Sequence, residues 1–265
     1  MNDTLDLFFE LSSDDRLQIL LTLEKKPNKL LKLSKEIDRP NQEVSRNLAR
    51  LSALDLCYRD SNGFYNVTPY AEFVLKLVPG YIFLSENRKY FRTHTAGSLP
   101  TEFQLRIGEL SQCQPISDIS TIIYEIQQTV AEAEKYIWSI GDQGAVWLAP
   151  HIENAIRRGV ENRFIMPQSL TPSEPFKQYM RGMGPDHPFK SNRAFRRFLD
   201  GVPIIIFMSE KEVPTILFRN TDGRFDNLGF KAKEGDAMKW CIDVFSYYWK
   251  AASDRTPSML QDLFT

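Results

Sequence analysis

Residues 41–67 constrain what this chain can fold into more than any other stretch. Val44, Leu48 and Leu51 recur at three- and four-residue spacing, so a helix over 41–54 hides them on one face. Asn41, Gln42, Ser45, Arg46 and Arg50 are left on the other face, gathered toward the helix N-terminus, and Pro40 suits its start. Leu56–Arg59 and Phe64–Val67 are β-prone runs around Asp60-Ser61-Asn62-Gly63, which predicts a hairpin with Arg59, Asn62 and Gly63 near its tip. Upstream, Ser12-Ser13-Asp14-Asp15 caps a helix carrying Leu17, Leu20, Leu21 and Leu23, stopped by Pro27-Asn28. A short helix spans Leu30–Ile37, and Asp38-Arg39-Pro40 breaks it from the next.

Helix, helix, break, helix, hairpin is the order of a winged helix-turn-helix. A recognition helix must bury one face in its own domain and show the other to the major groove. Arg pairs with guanine, Asn or Gln with adenine, and Ser with phosphate or base, so the exposed set has the side chains such reading needs. Between Lys25 and Asp60 there are nine basic residues against five acidic ones, a surplus of four on a chain whose formal net charge is -1. Affinity for nucleic acid must therefore come from this local patch. Glu43 would face phosphates and weighs against it. The competing readings are a solvated helical subdomain, or a winged helix that contacts a protein.

The remainder of the 265 residues alternates types. After Thr68-Pro69 a helix carries Phe73, Leu77 and Val78, is broken at Pro79-Gly80, and resumes from Tyr81 to about Arg92. Residues 93–120 read as a connector with one short helix. Helix Ile122–Lys135, strand Tyr136–Ile140, a helix near Pro150–Arg158 and strand Asn162–Met166 follow, then loops as far as Pro188. Ile204–Met208 and Thr215–Phe218 form a strand pair, and an aromatic helix runs over Glu234–Ala252. The expected fold class is an α+β N-terminal winged helix-turn-helix with its dimerisation helix (1–92), a connector (93–120), and an α/β C-terminal sensor-like domain for effector binding or dimerisation (121–265). Cys57, Cys113 and Cys241 are too scattered for a disulfide framework or zinc site. The acidic start lacks a signal-peptide pattern and no apolar run is long enough for a bilayer, so the expectation is a cytoplasmic protein without a membrane partner.

Leu17-Gln18-Ile19-Leu20, Val44-Ser45-Arg46-Asn47-Leu48-Ala49-Arg50-Leu51 and Tyr65-Asn66-Val67-Thr68 resemble the archaeal winged-helix regulators of the ArsR type. Tyr90-Phe91-Arg92-Thr93-His94, Leu99-Pro100, Arg106-Ile107-Gly108-Glu109-Leu110 and Tyr248-Trp249-Lys250-Ala251-Ala252 are similar to the archaeal methanogenesis-regulator family. The resemblance implies an N-terminal domain that binds operator DNA as a dimer and a later domain like the phospholipase D-type sensors of archaeal sugar-responsive regulators. One departure is Asp55, where such regulators often carry Gly, at the turn into the wing.

Catalysis of the phospholipase D type needs a His with a Lys two residues on. His94, His151 and His187 are followed at that spacing by Ala96, Glu153 and Phe189, so the motif is absent and the chain does not read as an enzyme. No phosphate-cradling loop, nucleophile elbow or metal-spaced His pair is present, and no cofactor or metal is expected. Ligands of open α/β sheets settle beyond the carboxyl ends of strands, which points to Gly141, Asp142, Gln143 and Trp147, and to Gln168 and Ser169. Ordinary loop polarity around a core Trp explains the same residues, and Arg157-Arg158, Arg193 and Arg196-Arg197 read as solvated faces. Phe73, Leu77, Tyr81, Phe83 and Leu84 are the candidate dimer face, with the final helix as an addition. The expected function is a homodimeric, sequence-specific regulator of transcription whose partners are double-stranded DNA and a small-molecule or protein effector. The alternative is a winged-helix interaction or ligand-binding scaffold without operator binding.

Overall fold

The computed structural model describes residues 2–261. It is a mixed α/β chain that divides into two compact units, residues 1–81 and 82–265. No helix among the described residues is long and apolar enough to cross a membrane.

The first unit opens with α1 (Asn2–Leu11), which the sequence reading did not anticipate. Helices α2 (Asp14–Lys25), α3 (Leu30–Glu36) and α4 (Asn41–Ala53) follow, then strands β1 (Cys57–Arg59) and β2 (Tyr65–Val67), paired antiparallel. Ile19, Leu20 and Leu23 of α2, Leu33 of α3, and Val44, Leu48 and Leu51 of α4 are all buried. Two helices end on an aspartate in the left-handed region, Asp38 at φ 54° and Asp55 at φ 55°. In each the next amide reaches back five positions, Arg39 N–H to Ser34 O at 3.0 Å and Leu56 N–H to Leu51 O at 2.9 Å, closing a Schellman turn. This explains why glycine suits position 55: the turn needs a backbone that L side chains adopt reluctantly.

Helix α5 (Pro69–Glu86) runs from the first unit into the second and continues through Pro79, against the expected break. Proline there removes one helical hydrogen bond, at a cost of about 3 kcal/mol in a free helix. Buried Leu75 and Val78 before it and Phe83 after it anchor both sides, so packing outweighs the local preference.

The second unit continues with α6 (Arg88–Phe91), β3 (His94–Thr95), α7 (Thr101–Leu105), β4 (Gln114–Ile116), α8 (Ile119–Glu132), β5 (Tyr136–Ile140) and α9 (Ala149–Arg157). Then come β6 (Glu161–Pro167), α10 (Glu174–Arg181), β7 (Ala194–Leu199), β8 (Ile204–Ser209), β9 (Val213–Asn220), β10 (Gly229–Ala232) and α11 (Asp236–Ala251). The sheet order is β4-β10-β9-β8-β5-β6-β7, with β3 beside β9. Strands β5, β6 and β7 are parallel; the other pairings are antiparallel. Residues 93–120 are therefore no connector. Two of their segments, β3 and β4, pair into the sheet, and Leu99, Phe103, Ile107 and Leu110 belong to its core. Helix α10 and strands β7 and β10 were likewise not foreseen.

Helix α11 packs Trp240, Val244 and Phe245 into one core with Ile140, Ile165 and Ile204, while α8 and α9 pack against Ile137 and Phe207 in another. Phe83 lies in the first of these cores, so it is not part of a free dimer face. Gly229 is required where β10 meets β9: a Cβ would overlap the Ile216 carbonyl oxygen and the Leu217 side chain. Both sheet edges are blunted. β4 carries Pro115, and the outer edge of β7 is bridged at Phe198 by Ser253, N–H to O at 2.8 and 2.9 Å.

Candidate nucleic-acid interface and effector cavity

In the first unit, the buried stripe of α4 sets which side chains face out. Asn41, Gln42, Ser45 and Arg46 are exposed, and none makes a side-chain hydrogen bond or ion pair with the described residues. Pro40 precedes the helix without a side-chain cap, which leaves first-turn amides and the positive end of the helix dipole unclaimed by any side chain. Arg50 is placed otherwise than expected. Its guanidinium grips Glu10 of α1, Nη2 to Oε1 at 2.6 Å, and Arg16 Nε reaches Glu10 Oε2 at 2.6 Å. Phe9 lies under both guanidiniums, at 5.5 Å from Arg50 and 5.6 Å from Arg16. Glu10, nearly buried, thus neutralises a cation that the sequence had assigned to DNA. Arg39 is similarly committed to Asp15 at 2.7 Å. Lys25, Lys26, Lys29, Lys32, Lys35, Arg46 and Arg59 form no ion pair with the described residues.

The hairpin tip is rigidified by Asp60, whose Oδ1 accepts the amides of Asn62 at 2.9 Å and Phe64 at 2.8 Å. Gly63 sits at φ 83°, and Arg59 lies along the turn over the Tyr65 ring at 5.8 Å. Arg59 and Asn62 are exposed. Two contributions to this edge escaped the sequence reading. Asn28 pairs with Tyr65 in both directions, at 3.2 and 2.8 Å, adding an isolated bridge beside the hairpin, and Lys29 Nζ stands 4.8 Å over the Phe64 ring. Nothing in Pro27-Asn28-Lys29 signalled a strand, because a single bridge has no periodicity.

In the second unit, a cavity of about 240 Å³ lies between one face of the sheet and helices α8, α9 and α10. Gly141, Asp142, Gln143 and Trp147 line it, at the carboxyl end of β5. Gln168 does not: its side chain is exposed, and its N–H is held by Leu199 O at 2.7 Å. Strand β6 alternates, so Phe164 and Met166 face the cavity while Gln168 falls past the strand end. Ser169 lines an adjoining open depression with Asp200 and Arg219, which shares Asp142 and Gln143 with the cavity.

The floor of the cavity is one cross-strand row. Arg196 pairs with Phe164, Phe164 with Ser139, Ser139 with Phe207, and Phe207 with Thr215, so five strands present these side chains together. At roughly 4.8 Å per strand the row is about 19 Å long. Arg196, expected on a solvated face, is instead largely withdrawn from water; burial pushes its pKa down to about 10, and Nη2 donates to Phe189 O at 2.8 Å. Thr215 Oγ1 and Tyr179 Oη are buried without a hydrogen-bond partner among the described residues. Burial raises the Asp142 carboxyl above its ordinary value, a shift that the Arg219 charge partly offsets.

Two of the three histidines are engaged in packing and pairing, and His151 is exposed. His94 stacks on Tyr90 at 3.9 Å and meets Asp226 at 3.1 Å, and His187 meets Glu153 at 3.1 Å. Among the described residues no cluster of three His, Cys, Asp or Glu side chains is placed to hold a metal ion. Burial raises the thiols of Cys57 and Cys241, and that of Cys113 to about 12, which disfavours reactive thiolates.

No family model matches the sequence, and no curated protein matches it. Among solved structures the chain is similar to TrmBL2, described as an archaeal chromatin protein with a novel mode of DNA binding, at 15% identity over 92% of this chain and 94% of that one, TM-score 0.43. It is similar to NucT from Helicobacter pylori at 9% identity over 54% of this chain and 99% of that one, TM-score 0.40. A riboflavin-analogue dimethyltransferase, RosA from Streptomyces davawensis, follows at 10% identity over 75% and 64%, TM-score 0.28. These likenesses assign the chain to no family.

Proposed function

We propose that this chain is a sequence-specific, double-stranded-DNA-binding regulator of transcription, with α4 as the recognition helix and β1–β2 as the wing of a winged helix-turn-helix. The observation that carries the reading is the exposed polar edge Asn41–Gln42–Ser45–Arg46, without side-chain partners among the described residues, beside the buried Val44–Leu48–Leu51 stripe. Seven basic side chains that form no ion pair with the described residues supply the phosphate contacts. Each phosphate neutralised steepens the log–log salt dependence of binding by about 0.9.

The regulator acts as a homodimer through α5. Tyr70, Phe73, Leu77 and Tyr81 are exposed at three- and four-residue spacing, an apolar stripe suited to a second copy of the same helix. The two recognition helices would then lie about 34 Å apart, one turn of DNA. The second unit regulates by binding an effector in its cavity rather than by catalysis.

The test is a gel shift on the gene's own upstream duplex DNA. Arg46→Ala should weaken specific binding by about 1–3 kcal/mol, and Phe73→Glu should yield monomers in sedimentation. Absence of retardation at low salt rejects DNA binding and leaves the first unit as a protein-contact module.

A further inference from the structure

A sheet face covered by helices is ordinarily apolar, and Ile126, Leu148, Ile152, Phe176 and Met180 wall the cavity beneath α8, α9 and α10 accordingly. Thr215 departs from that rule. It lines the cavity from β9, is 1% exposed, and its Oγ1 has no hydrogen-bond partner among the described residues. Tyr179 Oη, which enters from α10, is the second such atom on the lining. Buried Asn162, by contrast, is satisfied within the fold, donating Nδ2 to Ile137 O at 3.4 Å. A buried hydroxyl without a partner is costly, so its retention on a cavity wall points to a polar atom of a guest. Strand register fixes what surrounds Thr215. It pairs with Phe207 on β8, and Phe207 with Ser139 on β5, so an aromatic side chain stands between two hydroxyl-bearing ones that are two strands, about 10 Å, apart. The charges around the row are engaged within the fold. Lys231 on neighbouring β10 pairs with Glu125 at 2.5 Å, and Arg196 donates to Phe189 O at 2.8 Å. Asp142, at the rim shared with the open depression, is pushed toward its neutral form by burial.

We propose that this cavity binds a small neutral phenol or aryl alcohol, its oxygen hydrogen-bonded to Thr215 Oγ1 and its ring beside Phe207. An apolar cavity of about 150 Å³ accepts benzene, so about 240 Å³ takes one ring with a short substituent. A hydroxyl both donates and accepts, so a single guest oxygen serves Oγ1 whichever way its proton points. A charged guest would give up its water for an apolar wall without gaining a counter-charge beside Thr215, which selects against carboxylates and ammonium groups. The inference rests on reading the second unit as effector-binding and does not depend on the first unit reading DNA.

The experiment is calorimetric titration of the full chain near neutral pH, without DNA, with p-cresol, toluene and p-toluate. A phenol is uncharged there, since its pKa is about 10. A single site is expected for p-cresol, with p-toluate excluded. Binding should also change the tryptophan fluorescence, and Trp147→Phe should abolish that change, because Trp138, Trp240 and Trp249 lie off the lining. Thr215→Val keeps the branched shape and removes only the hydroxyl. It should weaken p-cresol roughly three- to tenfold, the worth of one neutral hydrogen bond, while toluene holds its affinity or gains. Its melting temperature should not fall. A lower one would mean that a trapped water or a neighbouring group already serves Oγ1, and it overturns the proposal. So does equal loss of p-cresol and toluene, binding of p-toluate as tight as that of p-cresol, or no binding of p-cresol at millimolar concentration. Binding of p-cresol that leaves the gel shift unchanged would uphold the site and reject only its regulatory role, and the gel shift without ligand tests the first unit alone.

Discussion

The close approach of β9 and β10 at Gly229 makes Gly229→Ala a severe test of the sheet. A new Cβ would overlap the Ile216 carbonyl oxygen and the Leu217 side chain, with the Ile216 carbonyl carbon only 3.2 Å away. Relief requires β10 to move by roughly 1 Å, since carbon contacts settle near 3.5–4.0 Å. That movement loosens the ladder to β9 and also the one to β4, because β10 lies between them. The obstacle is backbone, which cannot rotate away, so the cost falls at the upper end of overpacking, about 3 kcal/mol. For a unit of this size that lowers the melting temperature by about 6–12 °C. Tryptophan fluorescence isolates the effect, because Trp138, Trp147, Trp240 and Trp249 all belong to residues 82–265. Gly184→Ala, where a Cβ meets nothing, is the control and should melt with the parent. If Gly229→Ala also melts within about 1 °C of the parent, the strands are not packed as described and the argument fails.

Asp55→Gly should stabilise the first unit by about 0.5–1 kcal/mol, since position 55 is left-handed; a lower midpoint in helix-monitored melting would refute the capping role. Asp142→Asn has a pH signature. The folded carboxyl titrates above its ordinary value of 3.8, so its favourable contribution is complete below 3.8 and lost as pH rises through the raised value. The Asn variant should therefore be more stable than the parent at pH 7 and show no advantage below 3.8; a gain independent of pH excludes the titration. Glu10→Gln should release Arg50 toward DNA and steepen the salt slope of binding by about 1, and an unchanged slope means Arg50 stays clamped on α1.

What could be read from the chain divides by the range of the interactions involved. Helix α4 and strand β5 emerged almost to the residue, because Val44-Leu48-Leu51 and Tyr136–Ile140 carry their periodicity within a few positions. The exposed set Asn41, Gln42, Ser45 and Arg46 followed from the same spacing. Strand β7 was hidden by its two arginines. Their acceptors, the carbonyls of Phe189 for Arg196 and Trp249 for Arg197, are contacts that local pattern cannot reveal. Strands β3 and β4 have two and three residues and exist only through partners such as Asn220 and Lys231, more than a hundred positions away. Arg50 was assigned to DNA for the same reason, since its counterion lies forty residues upstream in α1. The cavity was half legible. The turn after β5 announced Asp142, Gln143 and Trp147, whereas the row from Arg196 to Thr215 appears only when five strands are in register.

The bridge between Phe198 and Ser253 has a bearing on how the chain can be shortened. A polypeptide ending just after α11 would keep that helix and its Trp240 core, but it would lose Leu260 from the cluster with Met166, Leu170 and Phe198 and leave the amide and carbonyl of Phe198 bare on a strand that also exposes Phe195. Such a border recruits strands from neighbouring molecules, so trimming these last residues would convert a self-terminated sheet into a template for stacking.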